Sequence, residues 1–147
     1  MSKSFLEKQK HIKQYFTDCH TAEEIYKKII ELGKKMPKIS KEYKKQENLV
    51  AGCQSLMYIY AEYKEDETMM FQAESEAIIS NGLAALLLMA YNGEKPEIIL
   101  QYPPKFIEEL NISSSLSPGR SNGLSSLYLK MKQEALKILL YKSKQSK

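Results

Sequence analysis

Two thiols, Cys19 and Cys53, bound the covalent chemistry open to this 147-residue chain. Cys53 sits in Val50-Ala51-Gly52-Cys53-Gln54-Ser55, directly after a glycine and just ahead of the apolar run Leu56-Met57-Tyr58-Ile59-Tyr60. The glycine allows a sharp backbone turn, so the thiol belongs to a loop tip that leads into a strand. Such a thiol is either reactive and presented, or a small buried hydrophobe that caps the strand. The residues alone leave both readings open.

Other ligands and bases are sparse. The gap between the cysteines fits neither a zinc nor a disulfide framework. Cys19 is followed by His20, but neighbouring helical side chains diverge and cannot easily share a metal. His11 is the only other histidine. Cys19 therefore reads as a small residue near a helix end, and no metal site is expected.

The elements that must position Cys53 follow from periodicity and caps. Phe5, Ile12, Tyr15 and Phe16 mark a helix within residues 5–19. Thr21, with Glu23 and Glu24 behind it, opens a second helix whose face is Ile25, Ile29, Leu32 and Met36; Lys34-Lys35 close it before Pro37. Residues 38–47 are polar and aperiodic. Residues 48–64 are rich in aromatic and branched side chains and contain a strand partly buried on both faces. A turn at 64–68 leads to a return strand over 69–74, with Met69, Phe71 and Ala73 on one face. Ser75 is expected to cap the next helix with Glu76 in its first turn, and Ile78, Ile79, Leu83, Leu86, Leu87 and Ala90 to form its buried face. Gly82, in mid-helix, signals close packing by another element. Asn92-Gly93 ends that helix. Short proline-opened helices are expected over 96–100 and 103–110, a loop over 113–120, and a long helix from Asn122 with Leu124, Leu127, Tyr128, Met131, Ala135, Ile138 and Leu139 inward. The order predicts an α+β single domain, residues 1–147, with one small antiparallel sheet packed against helices.

Charge is uneven along the chain: +5 over residues 1–48, −7 over 49–119 and +6 over 120–147. The basic residues fall on outer faces of the terminal helices and tryptophan is absent, so solvated faces account for them and nucleic-acid binding is not expected. The longest purely apolar run, Leu83 to Tyr91, is far short of a membrane span. Met1-Ser2-Lys3-Ser4-Phe5-Leu6-Glu7-Lys8 lacks the apolar stretch of a secretion signal, so the expected address is the cytoplasm, with both thiols reduced.

Four segments, in order and in register over roughly residues 8–140, carry a resemblance. Val50 to Tyr58, with Gly52-Cys53-Gln54-Ser55, resembles the signature of the SufE family. Glu31 to Pro37 is similar to its Leu-Gly-x-x-Leu/Met-Pro element, Ser75 to Leu83 to its Ser-Asp-Ala helix start, and Ser117 to Leu124 to the stretch before its last helix. Met57-Tyr58 replace the family's frequent Val-Trp, and Ala51 a commonly polar neighbour. The resemblance implies a fold related to IscU-type scaffolds. It also implies a function: accepting persulfide sulfur on Cys53 from a pyridoxal-phosphate cysteine desulfurase of the SufS or CsdA type, stimulating that enzyme, and passing sulfur to an iron–sulfur scaffold or another acceptor. Gly52, Gln54, Ser55 and Arg120 are then the partner-binding residues, and the chain itself needs no cofactor. Thiolate attack on a sulfur–sulfur bond asks only for one accessible thiol. A cluster scaffold would need several ligands where this loop has one cysteine. The competing reading is a free-standing thiol enzyme of peroxidase or reductase type, which needs a resolving cysteine or a histidine base near Cys53.

Overall fold

The computed structural model describes residues 3–145; Met1, Ser2, Ser146 and Lys147, the ends of the expected domain range, lie outside the described residues. Two helices come first, α1 (Lys3–Tyr15) and α2 (Ala22–Lys35), followed by 3-10 turns at Lys41–Tyr43 and Gln46–Asn48. Strands β1 (Met57–Tyr63) and β2 (Met69–Ser75) form a two-stranded antiparallel sheet. Then come α3 (Ile78–Tyr91), α4 (Pro96–Gln101), α5 (Phe106–Glu109), a 3-10 turn at Ser113–Ser115, and α6 (Pro118–Gln145). The architecture is the α+β domain that the element order predicts.

The α2 start is built as its sequence implies. The Thr21 hydroxyl accepts from Glu24 N at 3.1 Å, and the Glu24 carboxylate reaches back to accept from His20 N at 3.3 Å. Ile29 and Leu32 turn inward, beside Gly33. In the hairpin the register runs from Met57↔Ser75 to Tyr63↔Met69. Met69, Phe71 and Ala73 are buried as alternation requires. The outer face of β1 is partly covered because Tyr43 stacks on Tyr60 with ring centroids 3.6 Å apart. Two isolated bridges, Leu49↔Tyr58 and Met69↔Glu94, extend the pairing on either side.

Helix α3 is the centre of the molecule: Leu83, Ala84, Leu86, Leu87, Ala90 and Tyr91 are almost wholly buried. It crosses α2 at backbone contact. A Cβ on Gly33 would lie 2.6 Å from Gly82 N, and one on Gly82 would collide with the Ile29 carbonyl oxygen. The mid-helix glycine is therefore a packing requirement, as its position suggests.

Five local expectations are corrected. Ser75 does not cap α3; it ends β2, and its hydroxyl accepts from Ala77 N at 3.2 Å while donating to Leu56 O at 2.9 Å. Glu76 consequently lies before the helix, and Ile78, placed on the buried face by periodicity, is 61% exposed at its first residue. Helix α5 starts at Phe106, after the two prolines. Most consequential, 113–120 is not simply a loop: α6 begins at Pro118, with the Ser117 hydroxyl accepting from Arg120 N at 3.3 Å. A serine cap with proline at the first helical position is a helix-start signature, masked here by the poor helix formers Gly119, Asn122 and Gly123.

Candidate functional site

The early start of α6 turns its first three turns into a bed for the Cys53 loop. Small residues recur on one helical face at Gly119, Gly123 and Ser126, and the loop lies along them. A Cβ on Gly52 would sit 2.7 Å from Ser126 Oγ, and one on Gly123 would sit 3.7 Å from Cys53 Sγ. A Cβ on Gly119 would strike the Gln54 side-chain amide. Gly52 has φ +81°, a left-handed conformation that side chains strain to adopt, so glycine before the cysteine is a backbone requirement.

The loop ends are pinned. Val50 N donates to Met57 O at 3.0 Å, closing the loop back on the start of β1. Leu56 N donates to the Glu76 carboxylate at 3.3 Å, and Leu56 O accepts from Glu76 N at 3.2 Å. Asn81 bridges the same junction to α2, accepting from Ser75 N and donating to Gly33 O, both at 3.0 Å. Arg120 supplies the cross-tie: its Nη1 donates to Ser55 Oγ and to Ser80 Oγ, each at 2.8 Å. One guanidinium thus joins the Cys53 loop, α3 and α6.

Cys53 is half-buried, its Sγ 3.8 Å from Gly123 O, in a small cleft of about 10 Å³ floored by Met57, Leu83, Leu124 and Leu127. That space is about one water molecule wide. Burial pushes the Cys53 thiol above its ordinary pKa, and the Arg120 cation offsets part of that rise. The resting thiol is thus shielded and mostly protonated. Among the described residues neither a histidine nor the second cysteine lines this cleft. Cys19 lines a separate one with His20, Thr21 and Asn111, where burial raises its pKa too. No group of three His, Cys, Asp or Glu among the described residues is placed to hold a metal ion.

The structure brings together all the residues singled out in the sequence: Gly52, Cys53, Gln54, Ser55 and Arg120. Sequence reasoning missed Ser80, the second hydroxyl on Arg120, and the helical bed of Gly119, Gly123 and Ser126. The small-residue spacing was the available signal for the bed. It also missed that Leu56, just before β1, and Ile78, the first residue of α3, are 48% and 61% exposed.

A small α+β domain that rests one cysteine loop on the first turns of its last helix is the class defined by this fold and site. The comparisons give that class its family. The family model for SufE, the Fe-S metabolism associated domain, matches residues 10–135. The chain is 34% identical over 141 residues to the cysteine desulfuration protein SufE of Wigglesworthia glossinidia brevipalpis, covering 95% of this chain and 96% of that one. It is 36% identical over 118 residues to an uncharacterized SufE-like protein of Synechocystis, covering 80% of this chain and 74% of the relative. A SufE-like protein 1 of Arabidopsis thaliana, named chloroplastic/mitochondrial, is 30% identical over 131 residues, 89% of this chain, which spans only 35% of that relative's length. A solution structure of a hypothetical protein from Thermus thermophilus shares the fold with a TM-score of 0.74 at 21% identity, covering 90% of this chain and 96% of that one. The chain belongs to the SufE family.

Proposed function

We propose that this protein accepts sulfane sulfur on Cys53 from the persulfide of a pyridoxal-phosphate cysteine desulfurase, raises that enzyme's turnover, and delivers the sulfur for iron–sulfur cluster assembly. The observation that carries the reading is the lone thiol of Gly52-Cys53-Gln54-Ser55, held by a glycine turn in a loop whose Ser55 accepts from Arg120. Membership of the SufE family and the name of the Wigglesworthia relative support it.

The chemistry balances without a cofactor in this chain. The Cys53 thiol gives up its proton, and its thiolate attacks the outer sulfur of the donor persulfide. The donor's sulfur–sulfur bond breaks as the new one forms, the donor cysteine leaves as a thiolate, and it takes up a proton. One persulfide and one thiol become one thiol and one persulfide, with no net oxidation. Turnover of the donor rises because its own persulfide is cleared.

The resting geometry adds a gate. Cys53 points into its cleft, so transfer needs the loop to lift off Gly119 and Gly123 and carry the thiol outward. Lifting relieves the burial that disfavours the thiolate, so exposure and activation come together. Arg120 would then release Ser55 and present its planar fork of donors to a carboxylate or carbonyl of the partner. The exposed Leu56 and Ile78 would add apolar contact. In this reading Gly52, Gln54, Ser55 and Arg120 meet the desulfurase, and the protein works in the compartment that houses that enzyme, which we take to be the cytoplasm.

The test is desulfurase turnover measured with wild-type protein and with Cys53→Ser. The serine variant folds but cannot carry sulfane sulfur, so stimulation disappears. Stimulation equal to wild type rules out Cys53 as the acceptor.

A further inference from the structure

Helix α6 carries a second apolar face that the domain core does not use. Leu124, Leu127, Met131 and Ala135 are its buried residues. Leu129, Leu136 and Leu140 point away from them and are 52%, 48% and 56% exposed. With Gln133 between them, the spacing is four, three and four, the d-a-d-a seam of a heptad. In that frame Lys130, Lys137 and Lys144 all occupy e positions, and Lys132 a g position. The flanks of the seam therefore hold four lysines and no carboxylate; Lys130 is largely buried and donates to Glu47 O at 2.9 Å, and Lys132 lies over the Tyr128 ring, so Lys137 and Lys144 are the exposed flanking charges. Glu134, the only acid from Leu129 to Gln145, stands at a b position, where it lies 3.7 Å from Lys130 and 3.4 Å from Lys137.

We propose that this face docks an acidic amphipathic helix of another protein, with the leucine seam as the contact and Glu or Asp at the partner's e and g positions. Residues at e and g set partner choice by charge. A second copy of this chain would bring lysine against lysine, which disfavours self-pairing. A lipid surface is the weaker match: three half-exposed leucines in a line offer a narrow ridge, and the exposed aromatic beside them, Tyr141, stands at a b position off the seam. From Leu129 to Leu140 the leucines span about 17 Å, and with the lysine flank continuing to Lys144 the face covers about two heptads, enough for a reversible complex. It lies along the C-terminal half of α6, away from the first turns that hold the Cys53 loop, so one partner can occupy it while another engages the thiol.

The probe is a fluorescent synthetic peptide of about four heptads with Leu at a and d and Glu at e and g, compared with one bearing Lys there. Mutual repulsion keeps each peptide from pairing with itself. Fluorescence anisotropy with the full chain should show binding of the Glu peptide, weakening with salt, and about ten-fold or more weaker binding of the Lys peptide. Leu136→Ser with Leu140→Ser, both at exposed positions, should abolish binding while far-UV circular dichroism and unfolding stay as in wild type. Lys137→Glu with Lys144→Glu, which leaves two lysines against two glutamates on the flanks, should abolish the preference for the Glu peptide. Equal binding of both peptides, no binding, or indifference to the leucine substitutions overturns the proposal. So does a wild-type dimer in sedimentation that Leu136→Ser dissolves, or adhesion to phosphatidylserine vesicles that the same variant loses.

Discussion

Two places in this molecule use paired glycines to bring chain segments together, and they do opposite things. At the α2–α3 crossing, Gly33 and Gly82 let helix backbones touch, and any Cβ meets backbone atoms that cannot give way. At the foot of α6, Gly119 and Gly123 face side chains instead, the Gln54 amide and the Cys53 sulfur. Side chains can swing aside where backbones cannot. The first contact is a permanent joint of the core, and the second is a seat from which a loop can rise. Asn81 links the two, holding Ser75 at the loop side and Gly33 at the joint.

The largest effect should come from filling the joint. Gly82→Ala forces its methyl into the Ile29 carbonyl, and urea denaturation should show a loss of about 3 kcal/mol, the upper range for overpacked cores. A loss below about 1 kcal/mol would show that the crossing can relax.

At the seat the lever is pH. Burial raises the Cys53 pKa more than Arg120 lowers it, so the folded value lies above that of the unfolded chain. Sign follows directly: the neutral thiol fits the cleft, so its contribution is fully present below the unfolded pKa and is lost as pH rises through the folded one. Iodoacetamide labelling of Cys53 followed against pH should therefore have a midpoint above that of the same chain in denaturant. An equal or lower midpoint would mean that the loop is already open.

Cys19→Ser should matter less. Cys19 packs at the edge of the core and lies outside the Cys53 cleft, so stability should fall by no more than about 1 kcal/mol and sulfur acceptance should persist. Loss of stimulation on a par with Cys53→Ser would turn the account toward a two-thiol enzyme.

Smallest is the effect of Arg120→Ala on the isolated protein. Losing the cation raises the thiol pKa, while losing the tie to Ser55 and Ser80 frees the loop and lowers it. These oppose, so neutral-pH alkylation should stay within a few-fold of wild type, whereas stimulation of the desulfurase should fall. A large drop in alkylation with stimulation preserved would make Arg120 a tuner of the thiol alone.

The elements were legible where one local rule acted alone. The Thr21–Glu24 cap, the alternation of Met69, Phe71 and Ala73, and the mid-helix Gly82 each appear as read. Legibility failed where a tertiary demand overrode local preference. Gly119, Asn122 and Gly123 in the first turns of α6 argue for a loop by propensity, yet the two glycines are there so that the Cys53 loop can lie on a helix. Ser75 looks like a helix cap but serves the strand end and the Leu56 carbonyl as well. Ile78 continues an apolar period but stands exposed at the first residue of α3. Gly52, Cys53, Gln54, Ser55 and Arg120 were singled out through two motif stretches, and the structure places them together; that Arg120 ties Ser55 to Ser80 needed the three-dimensional structure. No helix among the described residues is long and apolar enough to cross a membrane, in line with the short apolar runs of the sequence.

The most direct test of the central claim is mass spectrometry of the protein after incubation with a cysteine desulfurase and cysteine, alkylated and digested without reductant. The account predicts one added sulfur atom on the peptide carrying Cys53 and none on the peptide carrying Cys19. Sulfur on Cys19 alone, or on neither peptide while the desulfurase is turning over, would contradict it.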